Sequence, residues 1–345
     1  MSDDLPHRLR LLSRLAKPAD TTMLLWVYDG MAGLPHPGYG RTELERARTP
    51  HLDAFAARAS CGLHEPCGPG VTVGSGQGHL ALFGWRADRV HLPRGVLEVL
   101  GADHGYLNGH KVEDVYLEPG DVAVRCNFAR LHVHDGQRVI ADRRSNDVTD
   151  AECDRLCREL SAELALDHVE SIVFPGRKHR FALVLRGEDL DARLSDADPQ
   201  RSLRPPQRTR PLVDAPAAHR TSALVNQWLD EAEARLEGED IADTVLARGI
   251  GRKPDVPSFQ QLYGIRAAAI ATYPMYRGIA KLFGMDVLAI ADDSQAARLS
   301  ALELARSTHD FVFFHIKATD ALAHRRDFDG KVACFERWDD GLGRA

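Results

Sequence analysis

Apolar residues at Leu5, Leu9, Leu12, Leu15 and Ala16 recur at helical spacing, which predicts a short amphipathic helix ending before Pro18. The next segment has another pattern. "MLLWVY" (23–28) is apolar without interruption, as in a strand buried on both faces, and it runs into Asp29 and Gly30. A carboxylate at the C-terminal end of a buried parallel strand is where α/β proteins place ligand sites. "TPHLDAFAAR" opens a helix with Pro50 near its first turn. In "GPGVTVGSGQGHLALFGW" (68–85), Ser75 stands among glycines just before the apolar run "HLALFG", predicting a helix that Ser75 caps.

The middle of the chain changes period. "VYLEPGDVAVRCNFARLHVHDGQRVIADRR" alternates apolar and polar positions and carries Pro-Gly and Asp-Gly turn signals, so it predicts antiparallel hairpins. An amphipathic helix over "DAECDRLCRELSAELA", a strand in "RKHRFALVLRG" and a Pro/Arg-rich loop in "DADPQRSLRPPQRTRPLVDAP" follow. From Phe259 the buried rhythm returns: a strand "AAAIAT", a helix through "YRGIAKLFGM", a strand "DVLAIA", a helix from Gln295 to Arg306 and a strand "DFVFFHI". This order predicts an α/β protein with a parallel-sheet core interrupted by an α+β insert. The leader helix takes residues 1–20, the core 21–88 and 252–345, and the insert 89–251.

Composition narrows the class. The 345 residues are 44% hydrophobic and 27% charged, enough for a sizeable core in two domains. A formal net charge of −6 argues against a nucleic-acid binder, so any anion must be gripped locally by the abundant arginines. No window approaches the run of about 18 apolar residues that spans a membrane, and the arginines among the leading leucines are unlike a signal peptide. A cytoplasmic protein without a membrane or nucleic-acid partner is expected. Cys61, Cys67, Cys126, Cys153, Cys157 and Cys334 are dispersed without a C-x-x-C pair, which predicts reduced, mostly buried thiols.

Asp29, Ser75, Asp320 and His324 come from three distant segments, each at a strand end or loop beside the core sheet. The Asp-x-x-x-His spacing in "TDALAH" puts Asp320 and His324 on one face of a helix, which suits a divalent metal. Beside a metal a serine hydroxyl loses its proton more readily, and a helix N-terminus stabilises a phosphate bound to it. Together they suggest phosphoryl transfer through a phosphoserine. Taken singly, each has an ordinary alternative: a loop cap for Asp29, an N-cap for Ser75, a solvated helix face for the Asp/His pair. The glycine pattern matches neither G-x-G-x-x-G nor G-K-[ST], and no strand precedes it, which argues against a nucleotide loop.

Longer motifs carry a resemblance. "DGMAGLP", "GRTELERARTPHLDAFA" and "GLHEPCGPGVTVGSGQGHLALFGW" are followed in order by "RGVLEVLG", "EPGDVAVRCNFA", "DRR", "HRFALVLRG", "SDADP", "LARGIG", "PSFQQLYGIRAAAIA", "GIAKLFGMDVL" and "DFVFFHIKATDALAH". This series resembles the 2,3-bisphosphoglycerate-independent phosphoglycerate mutases, specifically their archaeal-type branch, over nearly the whole chain after the leader helix. The resemblance implies the alkaline phosphatase-like fold, a parallel sheet flanked by helices with an inserted substrate-binding domain. It also implies two divalent metal ions, manganese or magnesium, with zinc or cobalt as alternatives. It makes Ser75 the phosphoserine nucleophile and a metal ligand with Asp29, and assigns Asp320 and His324 to the other metal. Arg125, Arg143, Arg144, Arg180 and Arg248 would hold the glycerate carboxylate and phosphate, with Lys317 near the metals. The implied activity is interconversion of 3-phosphoglycerate and 2-phosphoglycerate; a phosphomonoesterase of the same superfamily and an inactive phospho-acid-binding relative are the alternatives.

The chain also departs from that pattern. The family continues past "KVACFERWD" into an Asp-His-Ser-Thr-Pro-like motif and a later histidine that complete its metal ligands, and neither occurs before Ala345. "DDSQAARL" replaces a Gly/Thr-rich loop, and Ala323 stands where the family prefers glycine. The expectation is a metal site short of ligands. Asp103, His104 and His110 in "GADHGYLNGHKVED" are the available substitutes, in a segment read as an exposed polar loop.

Overall fold

A computed structural model describes residues 7–17, 19–85 and 90–343. The chain divides into two compact units, Met1–Asp88 with Val256–Ala345, and Arg89–Asp255. The first unit opens with helix α1 (His7–Leu15), strand β1 (Met23–Tyr28), and helices α2 (Glu43–Arg46), α3 (Pro50–Ala56) and α4 (Ser75–Leu82). The second runs α5 (Arg94–Gly101), β2 (Gly105–Leu107), β3 (His110–Val112), β4 (Val122–His134), β5 (Gln137–Asp142), α6 (Asp150–Leu160), β6 (Glu170–Pro175), β7 (Arg180–Arg186), α7 (Pro216–Arg235) and β8 (Thr244–Gly251). The chain returns to the first unit with α8 (Phe259–Tyr263), β9 (Ala267–Ile270), α9 (Pro274–Leu282), β10 (Asp286–Val287), α10 (Gln295–Thr308), β11 (Phe311–Ile316), α11 (Ala318–His324) and α12 (Phe328–Leu342). Leu5 and Pro18, expected in and just after the leader helix, lie outside the described residues. No described helix is long and apolar enough to cross a membrane.

In the first unit four parallel strands lie in the order β1-β11-β9-β10. Strand alternation sorts β11 onto two faces. Val312, Phe314 and Ile316 pack with Leu302 and Ala305 of α10 and Cys334 and Trp338 of α12. Phe313 and His315 face the other way, where their rings lie 5.7 and 5.2 Å from the His79 ring of α4. A histidine inside the apolar run "DFVFFHI" is thereby delivered to the face that carries α4 and α9.

Three expectations need correction here. β1 is not buried on both faces: it ends the row of described strands, Met23 is 54% and Leu24 38% exposed, and its inner packing comes from Trp26, stacked 4.3 Å from Phe314. An apolar run records affinity for a core, not the number of neighbouring strands. The segment "DVLAIA" is a strand only at Asp286 and Val287, which pair with β9, with Leu288 adding one backbone bond to Ala269 O. Ser75 does not cap α4; Gly74 does, with extended backbone, and Ser75 is the first helical residue.

The second unit is a seven-stranded antiparallel sheet, β3-β2-β6-β7-β4-β5, with β8 also pairing β4. The Asp135–Gly136 turn, with φ of 48° and 73°, closes the β4–β5 hairpin that the Asp-Gly signal predicts. The segment around His104 and His110, read as an exposed loop, is a correction too: it forms the β2–β3 hairpin, and β2 joins the sheet against β6. Its period-2 signal is only three residues long per strand, too short to stand out from a polar loop. All six cysteines are unpaired, and four are buried.

Alternation along β4 again decides the faces. Val122, Val124, Cys126 and Phe128 join Leu156 and Trp228 of α6 and α7 in the main core. Ala123, Arg125 and Asn127 therefore face the opposite side, where α5 lies. Helix α5 comes so close that a Cβ on Gly95 would stand 2.6 Å from the Ala123 backbone, and one on Gly251 2.1 Å from the Pro93 ring. Gly249 adopts φ +59° directly against the start of the helix, at Arg94. These contacts seat Arg94 beside the polar stripe of β4 and β8. Gly95→Ala is expected to push α5 off the sheet and lower stability by about 1–3 kcal/mol, measured by denaturant unfolding.

Candidate active site

The first unit gathers its polar groups at the C-terminal ends of β1 and β11. Asp29 follows β1 and is fixed by its own backbone: its N–H donates to Ile316 O at 3.0 Å, and its carbonyl accepts from the Thr319 hydroxyl at 2.5 Å. Gly30, at φ +71°, turns the chain so tightly that a Cβ would lie 2.7 Å from Asp320 Cα. The Asp29 carboxylate accepts from Tyr276 Oη at 2.5 Å and from Lys317 Nζ at 2.9 Å. Lys317 also donates to Asp320. The lysine ammonium is thus held between two carboxylates; burial pulls its pKa down, but the hydrogen bonds to Asp29 and Asp320 outweigh burial and the net shift is upward.

Ser75 stands at the exposed start of α4. Its side chain neighbours the Tyr276 hydroxyl, and its carbonyl accepts from His79 Nδ1 at 2.7 Å. Because Nδ1 faces a carbonyl it carries the proton, which leaves Nε2 as a buried nitrogen without a partner. His315 is 1% exposed, both its ring nitrogens lack partners, and Nε2 lies 3.7 Å from Asp29 Oδ2. Burial lowers the pKa of both imidazoles, so both are neutral near pH 7.

Of the predicted metal ligands, Asp29 and Asp320 converge on one cation, and Ser75 is linked to them through Tyr276. His324 sits at the margin, 81% exposed with Nε2 3.6 Å from Asp320 Oδ2. Among the described residues no three His, Cys, Asp or Glu side chains draw together closely enough to hold a metal by themselves. Two carboxylates aimed at one positive charge do have the donor chemistry a divalent ion needs. Asp103, His104 and His110 belong to the second unit, and His104 Nε2 is engaged with Asp154 at 2.7 Å. Tyr276, His79 and His315 had no motif to reveal them; the apolar-run histidine at 315 and the His at i+4 from Ser75 were the available signals.

The second unit holds a cavity of about 450 Å³ lined by Arg94, Arg125, Asn127, Arg143, Arg144, His179, Arg180, Asp196, Gln200, Arg248 and Gly249. All five arginines expected to bind substrate line it. Strand register builds its floor: Arg125 of β4 lies opposite Arg248 of β8, and Asn127 opposite Arg180 of β7. Like charges directly across a sheet repel, and here buried carboxylates offset them. Asp198, with a side chain 0% exposed, takes Arg143 through two hydrogen bonds of 3.1 and 2.7 Å and approaches Arg248 Nε at 3.8 Å. Glu98, 4% exposed, lies 3.5 Å from Arg94 and 3.6 Å from Arg125. The Arg125 pKa is nonetheless pushed down to about 10, by burial first and then by Arg248, Arg94 and Arg180, against the pull of Glu98. Asn127, Glu98, Asp198 and His179 escaped the sequence reading because only register and burial bring them to the arginines.

The parallel α/β core is of the alkaline phosphatase-like class. A solved cofactor-independent phosphoglycerate mutase from Thermoplasma acidophilum superposes with a TM-score of 0.64 at 28% identity, over 94% of this chain and 83% of that one. A Pyrococcus horikoshii protein shares the fold, with a TM-score of 0.73 at 22% identity, over 94% of this chain and 77% of that one. The family model for 2,3-bisphosphoglycerate-independent phosphoglycerate mutase matches residues 56–242. Relatives named probable 2,3-bisphosphoglycerate-independent phosphoglycerate mutase include one from Thermus thermophilus, 38% identical over 332 residues, and one from Deinococcus radiodurans, 39% identical over 334. Each alignment covers 95% of this chain and 78% of the relative. The chain belongs to this family of isomerases.

His179 supplies a pH test of the cavity. Burial first, then Arg180, Arg125 and Arg144, lower its pKa from 6.5 to about 3. A histidine depressed in the folded state contributes stability that is fully present above about pH 6.5 and is lost as pH falls toward about 3, because the unfolded chain binds the proton first. His179→Gln is expected to flatten the loss of stability between those pH values, measured by urea unfolding across the range.

Proposed function

We propose that the protein interconverts 3-phosphoglycerate and 2-phosphoglycerate in the cytoplasm through a phosphoserine at Ser75. The observation that carries this reading is the cavity: six guanidiniums line it or its rim, against the carboxylates of Asp196, Glu98 and Asp198. The excess of about three positive charges suits a ligand with one phosphate dianion and one carboxylate. Arg125, Arg143, Arg144, Arg180 and Arg248 hold that phosphorylated acid, so the second unit is the substrate-binding domain and the first the catalytic one.

In the first half-reaction the Ser75 hydroxyl oxygen attacks phosphorus. The bond from phosphorus to the C3 oxygen breaks, and that oxygen leaves as a hydroxyl after taking up a proton. In the second, the C2 hydroxyl oxygen attacks the phosphoserine, loses its proton and releases Ser75. Tyr276, beside Ser75 and hydrogen-bonded to Asp29, gives the serine proton a route toward a carboxylate. Lys317 keeps that carboxylate in place and sets positive charge near the incoming phosphate. Asp29, Ser75, Asp320 and His324 are the residues that would hold divalent ions, manganese or magnesium in the first instance. Such ions would lower the pKa of the serine and neutralise phosphate charge.

Incubation with 3-phosphoglycerate followed by mass spectrometry is expected to find phosphate on Ser75, and Ser75→Ala is expected to lose conversion to 2-phosphoglycerate by at least about 10³-fold. Phosphate on another residue with Ser75→Ala active would overturn the assignment. Chelation is expected to abolish conversion and added manganese to restore it. Release of inorganic phosphate in place of 2-phosphoglycerate would mark a phosphomonoesterase instead.

A further inference from the structure

The cavity of the second unit contains a mismatch with a purely anionic ligand. Guanidiniums only donate hydrogen bonds, and phosphate and carboxylate oxygens accept them. Two lining side chains break that pattern. Asn127 is 4% exposed and its Oδ1 has no hydrogen-bond partner, while its Nδ2 points to the Arg143 carbonyl at 3.5 Å. A carbonyl cannot accept from another carbonyl, so this contact sets which end of the amide is Oδ1. His179 is 5% exposed and its Nδ1 also lacks a partner. Of the other acceptors at the wall, Asp196 Oδ1 receives the Gly249 N–H at 2.8 Å, and Gln200 is exposed.

A buried acceptor with no donor costs about 1–3 kcal/mol. Asn127 Oδ1 is one such acceptor, and His179 Nδ1 is a second in the tautomer that carries its proton on Nε2; in a wall of cationic donors they are reconciled with the fold when the ligand brings a donor of its own. Phosphate dianion and carboxylate carry none, and an ammonium would be repelled by the surplus of guanidiniums. A neutral hydroxyl remains, and it also accepts when the imidazole presents its N–H.

Resting on the reading of this cavity as the phospho-acid site, we propose that Asn127 and His179 are its specificity residues, reading the substrate's free hydroxyl while the arginines hold its anionic ends. Both side chains line the one cavity, and the backbone ties them together: the N–H of Phe128, next to Asn127, donates to His179 O at 2.8 Å. The low pKa of His179 is consistent with this role, since an imidazolium would present another cation and no acceptor. The arginines alone would bind any polyanion of suitable size. The Asn/His pair adds discrimination, because a site built for a hydroxyl rejects a ligand that lacks one by leaving its own polar groups unpaired.

The test compares 3-phosphoglycerate with 3-phosphonooxypropanoate, which has the same phosphate and carboxylate but no hydroxyl, by calorimetric titration of the full chain carrying Ser75→Ala to prevent turnover. A preference of about tenfold or more for the hydroxylated ligand is expected. Asn127→Ala and His179→Ala, added separately, should each cut that ratio to about threefold or less while leaving affinity for the deoxy ligand nearly unchanged. A merely structural role would weaken both ligands in parallel and leave the ratio intact, which overturns the proposal. Equal binding of both ligands by the protein with Asn127 and His179 intact also overturns it, whether or not the variants fold, and leaves the phospho-acid reading standing. Failure to bind either ligand overturns that reading and this proposal with it.

Discussion

The second unit depends on a repulsion that is contained by buried charge. Register in an antiparallel sheet is set by hydrophobic alternation, and once Val122, Val124, Cys126 and Phe128 are committed to the core, Arg125 and Asn127 must emerge on the other face. The same rule applied to β7 and β8 brings Arg180 and Arg248 next to them. A one-residue slip would send the arginines into the core and the valines into the cavity. Glu98 and Asp198 sit behind the guanidiniums with almost no exposure, so each acts as a fixed counter-charge for two arginines. The net result is a site preorganised for anions whose cost is met within the fold.

The first unit uses the opposite polarity. Asp29 and Asp320 are brought together by the turn at Gly30, and Lys317 is held between them. Around this pair stand groups that burial keeps neutral: the Tyr276 phenol, whose pKa is raised by burial and by Asp29, and the His79 and His315 imidazoles, whose pKa values burial lowers. Nearly every ionisable group near Ser75 therefore has one dominant protonation state near neutral pH. Charge is concentrated in the carboxylates and the lysine, which is where a transferring phosphate would sense it.

Much of this was legible from residue pattern. Period-2 alternation and the Asp-Gly turn identified the hairpin of the second unit, and the apolar runs identified β9 and β11 of the first. The reading went wrong where a pattern carries no information about neighbours. "MLLWVY" describes a strand but not how many strands flank it, "DVLAIA" holds only two paired residues, and the β2–β3 hairpin is too short to show its period.

The sequence by itself determined the order of elements, the division between a parallel and an antiparallel part, the family, and the candidate residues Ser75, Asp29, Asp320, His324, Lys317 and the five arginines. These follow from local periodicity and from long motifs, both of which survive in one dimension. Only the tertiary structure decided that Lys317 bridges Asp29 and Asp320, that His324 stays exposed at the margin, that Tyr276 joins Ser75 to Asp29, and that Asn127 and His179 sit buried among guanidiniums. Those facts depend on which side of a strand a residue occupies relative to a partner far away in the chain. Burial, and with it protonation and hydrogen-bond satisfaction, is a property of the packed neighbours rather than of the residue.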